Sequence, residues 1–245
     1  MNISSKAFTD PGGRQVNQDS YMDLHLTDRD RGVWMVADGL GGHSGGEVAS
    51  KIVCAMAQDH VLGFGEENDL LDSIEAILQL SNQNILTAQE LDELVCDMRT
   101  TAVCLLYNKN QVRWTNCGDS RLYFFREGSL KTQTLDDSVP QALVDMGQIL
   151  PDQIRSHPDR NRLTRCLGNN KDFKQTTSEI ISIEKGDAFL LCSDGFWELV
   201  EETEMLIELC KSRSAEEWSK GLRRKLRSRI TQRSDNVTFL CIIIS

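Results

Sequence analysis

The 245-residue chain carries 37 Asp and Glu against 27 Lys and Arg, a formal net charge of -10, and 40% of its residues are hydrophobic. Such a chain can bury a substantial core, and one large domain is a simpler expectation than two small ones. No apolar run approaches the roughly 20 residues that span a bilayer, the start MNISSKAFTDPGGRQVNQD has no apolar secretory core, and the acidic balance argues against a nucleic-acid footprint; a cytoplasmic protein with no membrane and no nucleic-acid partner is expected.

Taken in chain order, two Gly-rich loops, at Gly12–Gly13 and Gly39–Gly46, flank the apolar run VWMVA (33–37), which reads as a buried strand. Glu47 to about Leu62 has the spacing of a helix with Val48, Ile52, Ala55 and Met56 on one face. Asp69 to about Leu86 repeats that pattern with Leu70, Ile74, Ile77, Leu78 and Ser81. Strands then follow at TTAVCLLY (100–107), QVRWTNC (111–117) and RLYFFREG (121–128), with Asn108–Asn110 suited to a hairpin turn. A polar segment at about 132–175, holding Pro140, Pro151 and Pro158, has room for two short helices and looks like a mobile insertion. Strands resume at EIISI (179–183) and AFLLCS (188–193), helices at about 201–212 and 214–230, and the apolar run NVTFLCIII (236–244) reads as a last strand. Strands joined by tight turns favour antiparallel sheets with helices packed outside, an α+β layered domain, over a doubly wound parallel sheet.

Eight cysteines contain no C-x-x-C pair, so a zinc ribbon or dithiol redox site is not expected; most lie in apolar runs and read as small buried hydrophobes in a reducing compartment. The last helix is basic, with Lys220, Arg223, Arg224, Lys225, Arg227 and Arg229. It reads as a solvated face with cations toward a helix C-terminus, or else as a docking surface for an acidic partner.

Four aspartates share a placement at strand ends. Asp38 follows VWMVA, Asp119 follows VRWTNCG, Asp194 follows AFLLCS, and Asp235 precedes NVTFLCIII. A fifth, Asp19, stands just before SYMDLHL (20–26), a further candidate strand. In antiparallel sheets these ends can meet at one edge. Taken singly, each Asp fits a turn, and three have glycine beside them: Asp38–Gly39, Gly118–Asp119 and Asp194–Gly195. Gathered together they repel one another and lose hydration, unless hard divalent cations such as Mg²⁺ or Mn²⁺ neutralise them through oxygen ligands. Two ions roughly 3.5–4 Å apart could share a carboxylate and acidify a bridging water. Spacing alone would suit a nuclease or a calcium site equally. In the loop DGLGGHSGGE (38–47), the Gly39 carbonyl is a plausible ligand and His43 is available for proton transfer. Arg14, behind Gly12–Gly13, could grip a phosphate bidentately.

The segments GGRQVNQDS, VADGLGGHSGGEVAS, TTAV, NCGDSRLY, LVDMGQI with HPDRNRLTRCLG, LLCSDGFWE and SDNVT run from residue 12 to 238. In this order they resemble the metal-dependent protein phosphatases of the PPM family (the type 2C class), in its bacterial single-domain form. The resemblance implies one domain over residues 1–245, a central β-sandwich of two antiparallel sheets flanked by helices in four αββα layers. It implies a serine/threonine phosphoprotein phosphatase with two core Mn²⁺ or Mg²⁺ ions and a third, working by in-line attack of a metal-bridging hydroxide. Asp38 would bridge two ions, with the Gly39 carbonyl, Asp194 and Asp235 completing the core shell. Asp119 and Asp194 would hold the third ion, and Asp19 would act through metal-bound water. Arg14 would bind the substrate phosphate, His43 would be the general acid, and Asn236 would orient Asp235 or an ion-bound water. Partners would be phosphoserine and phosphothreonine proteins and an opposing Ser/Thr kinase, with the chain a monomer in signalling. The segment 132–175 would be the flap; many bacterial members have Asp-His-Ser where this chain reads Asp136–Asp137–Ser138. The alternative is a catalytically weak phosphoprotein-binding regulator on the same fold, of which loss of a metal aspartate would be the sign; all five are present.

Overall fold

The computed structural model describes residues 1–41, 45–64, 70–169 and 173–245. In chain order its elements are β1 (Ile3–Asp10), β2 (Ser20–Leu26), β3 (Arg31–Ala37), β4 (Gly39–Leu40), α1 (Gly45–Gly63), α2 (Ile74–Leu91), β5 (Arg99–Thr100), β6 (Ala102–Asn108) and β7 (Gln111–Cys117). There follow β8 (Arg121–Arg126), β9 (Ser129–Gln133), α3 (Val139–Asp145), β10 (Thr176–Thr177), β11 (Ile181–Ser182), β12 (Ala188–Cys192), α4 (Asp194–Trp197), α5 (Glu202–Cys210), α6 (Ala215–Arg227) and β13 (Val237–Ile244).

One sheet runs β1-β13-β12-β8-β9 and the other β10-β7-β6-β3-β2, with β11 also on β7; the small pair β4-β5 stands apart. Neighbouring strands are antiparallel throughout, and short turns join β2 to β3, β6 to β7 and β8 to β9. The β6–β7 turn places Lys109 and Asn110 at φ +48° and +64°, the twisted geometry that two-residue hairpins favour.

The period-2 alternation of the strands builds four layers. Along β3, Trp34 and Val36 point into the sandwich, where they meet Val103, Leu105, Leu122, Phe189, Leu240 and Ile242. Val33, Met35 and Ala37 point the other way, into a core closed by α1 and α2. Along β13, Phe239, Cys241 and Ile243 face the helices on the opposite side, with Trp218 and Leu222 of α6. Phe124 and Phe189 stack inside the sandwich at 4.7 Å. Both central strands are therefore buried on both faces, which explains why VWMVA and NVTFLCIII are continuously apolar. The order helix–sheet–sheet–helix is the layered α+β architecture expected from the sequence.

Several local expectations need correction. The buried side of α1 is Ala49, Val53, Cys54, Ala57 and Val61, while Val48 is exposed and Ala55 faces solvent. Small residues win there because α1 packs closely on β2 and β3, so bulk alone misplaces the face. The second helix runs Ile74–Leu91, later than predicted; Leu70 is buried in the turn before it, and Asp69 lies outside the described residues. Thr101 interrupts the predicted strand 100–107 and separates β5 from β6. EIISI contracts to two paired residues. The polar strand β1, unseen in the sequence, pairs with β13 over eight residues; its pattern ISSKAFTD is that of a half-buried sheet edge. All eight cysteines are free, six buried and two, Cys96 and Cys210, exposed. Among the described residues no helix is long and apolar enough to cross a membrane.

Candidate functional site

The antiparallel registers bring the aspartates to one end of the sandwich. Ser20 pairs with Ala37, which sets Asp19 beside Asp38 across β2 and β3. Cys192 pairs with Phe239, which sets Asp194 beside the start of β13 and Asp235. The β7–β8 turn delivers Asp119 to the same end. The result is a cleft of about 320 Å³ lined by Arg14, Asp38, Gly39, Asp119, Asp194, Asp235 and Asn236, among others. Asp19 lies behind it: buried, its Oδ2 accepts a hydrogen bond from Ser193 Oγ at 2.8 Å. His43 lies outside the described residues.

The electrostatics are those of crowded carboxylates. The carboxyl of Asp38 comes within hydrogen-bonding reach of both Asp19 and Asp194. Burial, reinforced by the charges of Asp19, Asp194, Asp119 and Asp235, holds Asp38 well above the usual carboxylate range. Asp119 is raised likewise, by burial first and then by Asp194 and Asp136. Burial raises Asp194 to about 7, with Asp235 adding to it, and raises Asp19 to about 6 against hydrogen bonds that pull the other way. Asp19 Oδ1 and Asp194 Oδ1 are buried with no hydrogen-bond partner. Orphaned carboxylate oxygens in a dry site are costly unless a cation meets them. The donors are all oxygen, the chemistry of Mg²⁺ or Mn²⁺ rather than of soft metals. Among the described residues, no three His, Cys, Asp or Glu side chains converge as a ready-closed cage; the carboxylates face a common cleft rather than a common point.

Arg14 stands at the mouth with its side chain 58% exposed, and its Nη2 donates to Asp235 Oδ2 at 2.8 Å. Asn236 does not orient the Asp235 carboxylate with its side chain, as the sequence suggested. Its Nδ2 donates to the carbonyls of Pro11 and Val16, each at 3.0 Å, and its Oδ1 accepts from Gln18 N–H at 2.8 Å. The amide is fully spent on clamping the Arg14 loop, because that loop's backbone has no strand to pair with. Only the main-chain N–H of Asn236 reaches Asp235, donating to Oδ1 at 2.8 Å. Gly12, at φ +61°, completes the clamp: a Cβ there would lie 2.0 Å from the Asp235 carbonyl.

The family model for protein phosphatase 2C matches residues 12–228. The chain belongs to the protein phosphatase 2C family. It is 36% identical over 171 residues to the serine/threonine protein phosphatase PstP of Mycobacterium tuberculosis, 70% of this chain but 33% of that one, so it spans about a third of the length of that relative. It is 35% identical over 189 residues to the serine/threonine phosphatase stp of Listeria welshimeri, covering 75% of this chain and 73% of the other. It also superposes on the crystal structure of the catalytic domain of PstP in complex with two manganese ions, with a TM-score of 0.82, 30% identity and 99% of both chains covered.

In this protein phosphatase 2C chain, several residues that sequence reasoning left without a role position the aspartates. Thr100 Oγ1 donates to the Asp38 carbonyl at 2.8 Å, Thr101 N–H does so at 2.9 Å, and Asp38 N–H donates to Thr101 Oγ1 at 3.1 Å. The motif TTAV therefore pins the Asp38 backbone, which is why the strand breaks at Thr101. Gly39 is needed beside it, since a Cβ would lie 2.1 Å from the Gly46 carbonyl. Trp197 Nε1 donates to the Asp119 carbonyl at 2.9 Å, while the Arg121 guanidinium lies 3.7 Å over the indole and grips Asp136 at 2.8 and 2.7 Å. Asp137, where the resemblance led to the expectation of a histidine, points inward. Its Oδ2 accepts from Gly118 N–H at 3.0 Å and its Oδ1 pairs with Arg165. Asp136 and Asp137 thus tie the flap to the turn that carries Asp119. A pair of adjacent acids opening a polar segment was the available signal, but nothing in the sequence identified their partners.

Proposed function

We propose that this chain is a Mn²⁺- or Mg²⁺-dependent phosphatase acting on phosphoserine and phosphothreonine in proteins. The observation that carries the reading is that Asp38, Asp119, Asp194 and Asp235 line one cleft, with Asp19 buried behind it and carboxylate oxygens of Asp19 and Asp194 left without a partner. Asp38, the Gly39 carbonyl, Asp194 and Asp235 would hold two core ions, Asp119 with Asp194 a third, and Asp19 would act through water. When bound, the ions would supply Lewis acidity toward phosphoryl oxygens and would lower the pKa of water at the site.

The protein's own contribution is position. The Thr100–Thr101 clamp holds Asp38 at a set depth, and Ser193 holds Asp19 behind it. Arg14 exchanges its single partner Asp235 for the substrate's phosphoryl oxygens, presenting two parallel N–H groups to them. Its 58% exposed side chain has room to make that exchange. His43 is proposed as the acid for the departing serine or threonine oxygen. The same reading makes residues 1–245 one domain with its flap at about 132–175, a cytoplasmic monomer whose phosphoprotein substrates come from an opposing Ser/Thr kinase.

The test is dephosphorylation of matched phosphothreonine, phosphoserine and phosphotyrosine peptides with each metal and after chelation. Turnover should need Mn²⁺ or Mg²⁺ and should vanish in Asp38→Ala, whose folding is checked by circular dichroism. Full activity after chelation, or in Asp38→Ala, refutes the reading.

A further inference from the structure

A second concavity lies on the sheet edge away from the carboxylates, where α6 passes β1, the edge strand. Its volume is about 620 Å³, against about 320 Å³ for the carboxylate cleft. Phe8, Leu226 and Ile230 supply apolar surface within it, and Lys220, Arg223, Arg224 and Arg227 rim it.

Those four cations recur at i, i+3, i+4 and i+7 on one exposed face of α6. Arg224 and Arg227 stand in the last turn, where the helix dipole favours cations, but Lys220 and Arg223 lie before it, and like charges at this spacing otherwise disfavour a helix. The stripe is not neutralised. Of the two acids in the groove, Glu216 pairs with Lys6 at 2.9 Å, and Asp10, which accepts from Gly12 N–H at 2.8 Å, leaves one carboxylate charge against four cations. Lys220 and Arg227 make no ion pair among the described residues, Arg224 reaches Glu208 only at 3.8 Å, and Arg223 lies over the Phe8 ring at 4.8 Å. An uncompensated basic groove on a chain of net charge -10 is a local reversal of the protein's field.

The groove also connects to the catalytic end by two short covalent routes. β1 runs out through Asp10 to Arg14, and α6 runs out through Ile230 to Asp235. Asp235 lies five residue steps beyond Ile230, at most about 18 Å when extended. A phosphorylated chain seated at the carboxylates can therefore lay residues some five to eight positions away into the groove.

We infer that the α6–β1 groove docks an acidic segment, carrying an apolar side chain, of the phosphoprotein substrate, five to eight residues from the phosphorylated position. The apolar floor takes the hydrophobic residue and the cationic rim takes the carboxylates. Docking there lowers KM without touching the chemistry. The inference deepens the phosphatase reading and rests on it for the identity of the partner, while the groove itself is tested by direct binding.

The experiment has two arms. In the first, fluorescence anisotropy follows a labelled, unphosphorylated peptide with the core Glu-Glu-Leu-Glu-Asp, at low and high salt, on wild type and on Lys220→Glu/Arg227→Glu. Neither side chain has an ion-pair partner to lose among the described residues, and Lys220→Gln/Arg227→Gln serves as the milder version. Binding to wild type, weakened by salt and at least ~10-fold weaker in the reversal variant, supports the groove. Equal binding by both proteins, or by a peptide with Gln for every acid, overturns it. In the second arm, phosphothreonine peptides with and without that acidic tail, placed on either side, are compared for KM and kcat. A KM lower for one tail placement in wild type only, with p-nitrophenyl phosphate turnover equal in both proteins, is the expected result. Phosphopeptides hydrolysed equally well with and without either tail overturn the docking role and leave the phosphatase reading standing. Tail binding without hydrolysis of any phosphopeptide would sink the phosphatase reading and with it the substrate as partner.

Discussion

Replacing Asp194 by Asn separates the electrostatic cost of the site from its function. Burial and Asp235 raise the Asp194 carboxyl from 3.8 to about 7, and that gap corresponds to about 4 kcal/mol of destabilisation once the group is forced to ionise. The sign follows from the folded value lying above the unfolded one. The native state is favoured below pH 3.8, and this advantage is lost progressively as pH rises through about 7. At pH 5 less than about 2 kcal/mol of the cost has accrued; at pH 8 all of it has. Asn has nearly the same shape and no charge. In chelator, Asp194→Asn should therefore raise Tm more at pH 8 than at pH 5, by several degrees at 2–4 °C per kcal/mol for a chain of this size. The unpartnered Oδ1 persists in the amide and keeps the gain below the full figure. Half-buried His25 and His60, both lowered by desolvation, favour the fold as pH rises, but equally in both proteins. With Mn²⁺ present the order should reverse, since wild type gains a bound ion and the variant loses a ligand. Differential scanning calorimetry at the two pH values, with and without Mn²⁺, measures all four states. A variant less stable than wild type by the same margin at pH 5 and pH 8 in chelator would refute the reasoning, because the carboxylates would then carry no ionisation cost.

Other outcomes are accessible to simpler assays. Arg14→Ala should raise KM for phosphopeptides about 10-fold with kcat changed much less, as expected for loss of a bidentate phosphate contact; steady-state kinetics checks this, and an unchanged KM removes the assigned role. Asp137→Leu leaves the Gly118 N–H and Arg165 without their acceptor and should cost about 1–3 kcal/mol in urea unfolding. It should also speed amide hydrogen exchange in the flap around 138–167, and exchange identical to wild type would mean that the carboxylate does not anchor that segment.

Much of the architecture was legible because it is written in local pattern. The apolar runs at 33–37 and 236–244 announced strands buried on both sides, and the Asp residues at their ends announced where charge would gather. Tight turns such as Lys109–Asn110 announced antiparallel neighbours, and the ordered motifs from residue 12 to 238 pointed to the family. Local pattern failed where a residue's environment comes from far along the chain. Strand β1 is polar because it lies at an edge, and only its pairing with β13, more than 200 residues away, makes it a strand. The buried face of α1 was chosen by close packing on β2 and β3, which favours small residues that hydrophobicity ranks low.

The site divides in the same way. Sequence by itself determined which side chains could carry the chemistry, since carboxylates, an arginine and glycines are properties of the residues. Tertiary structure decided what each one meets. It set Asp38 against Asp19 and Asp194, spent Asn236 on the Arg14 loop, and turned Asp137 inward to Gly118 and Arg165. It also set Lys220 and Arg227 of α6, which make no ion pair among the described residues, beside an apolar floor. Hydrogen bonds and ion pairs act over a few ångströms in space, and distance in space is set by the packing of all four layers at once rather than by any stretch of the chain.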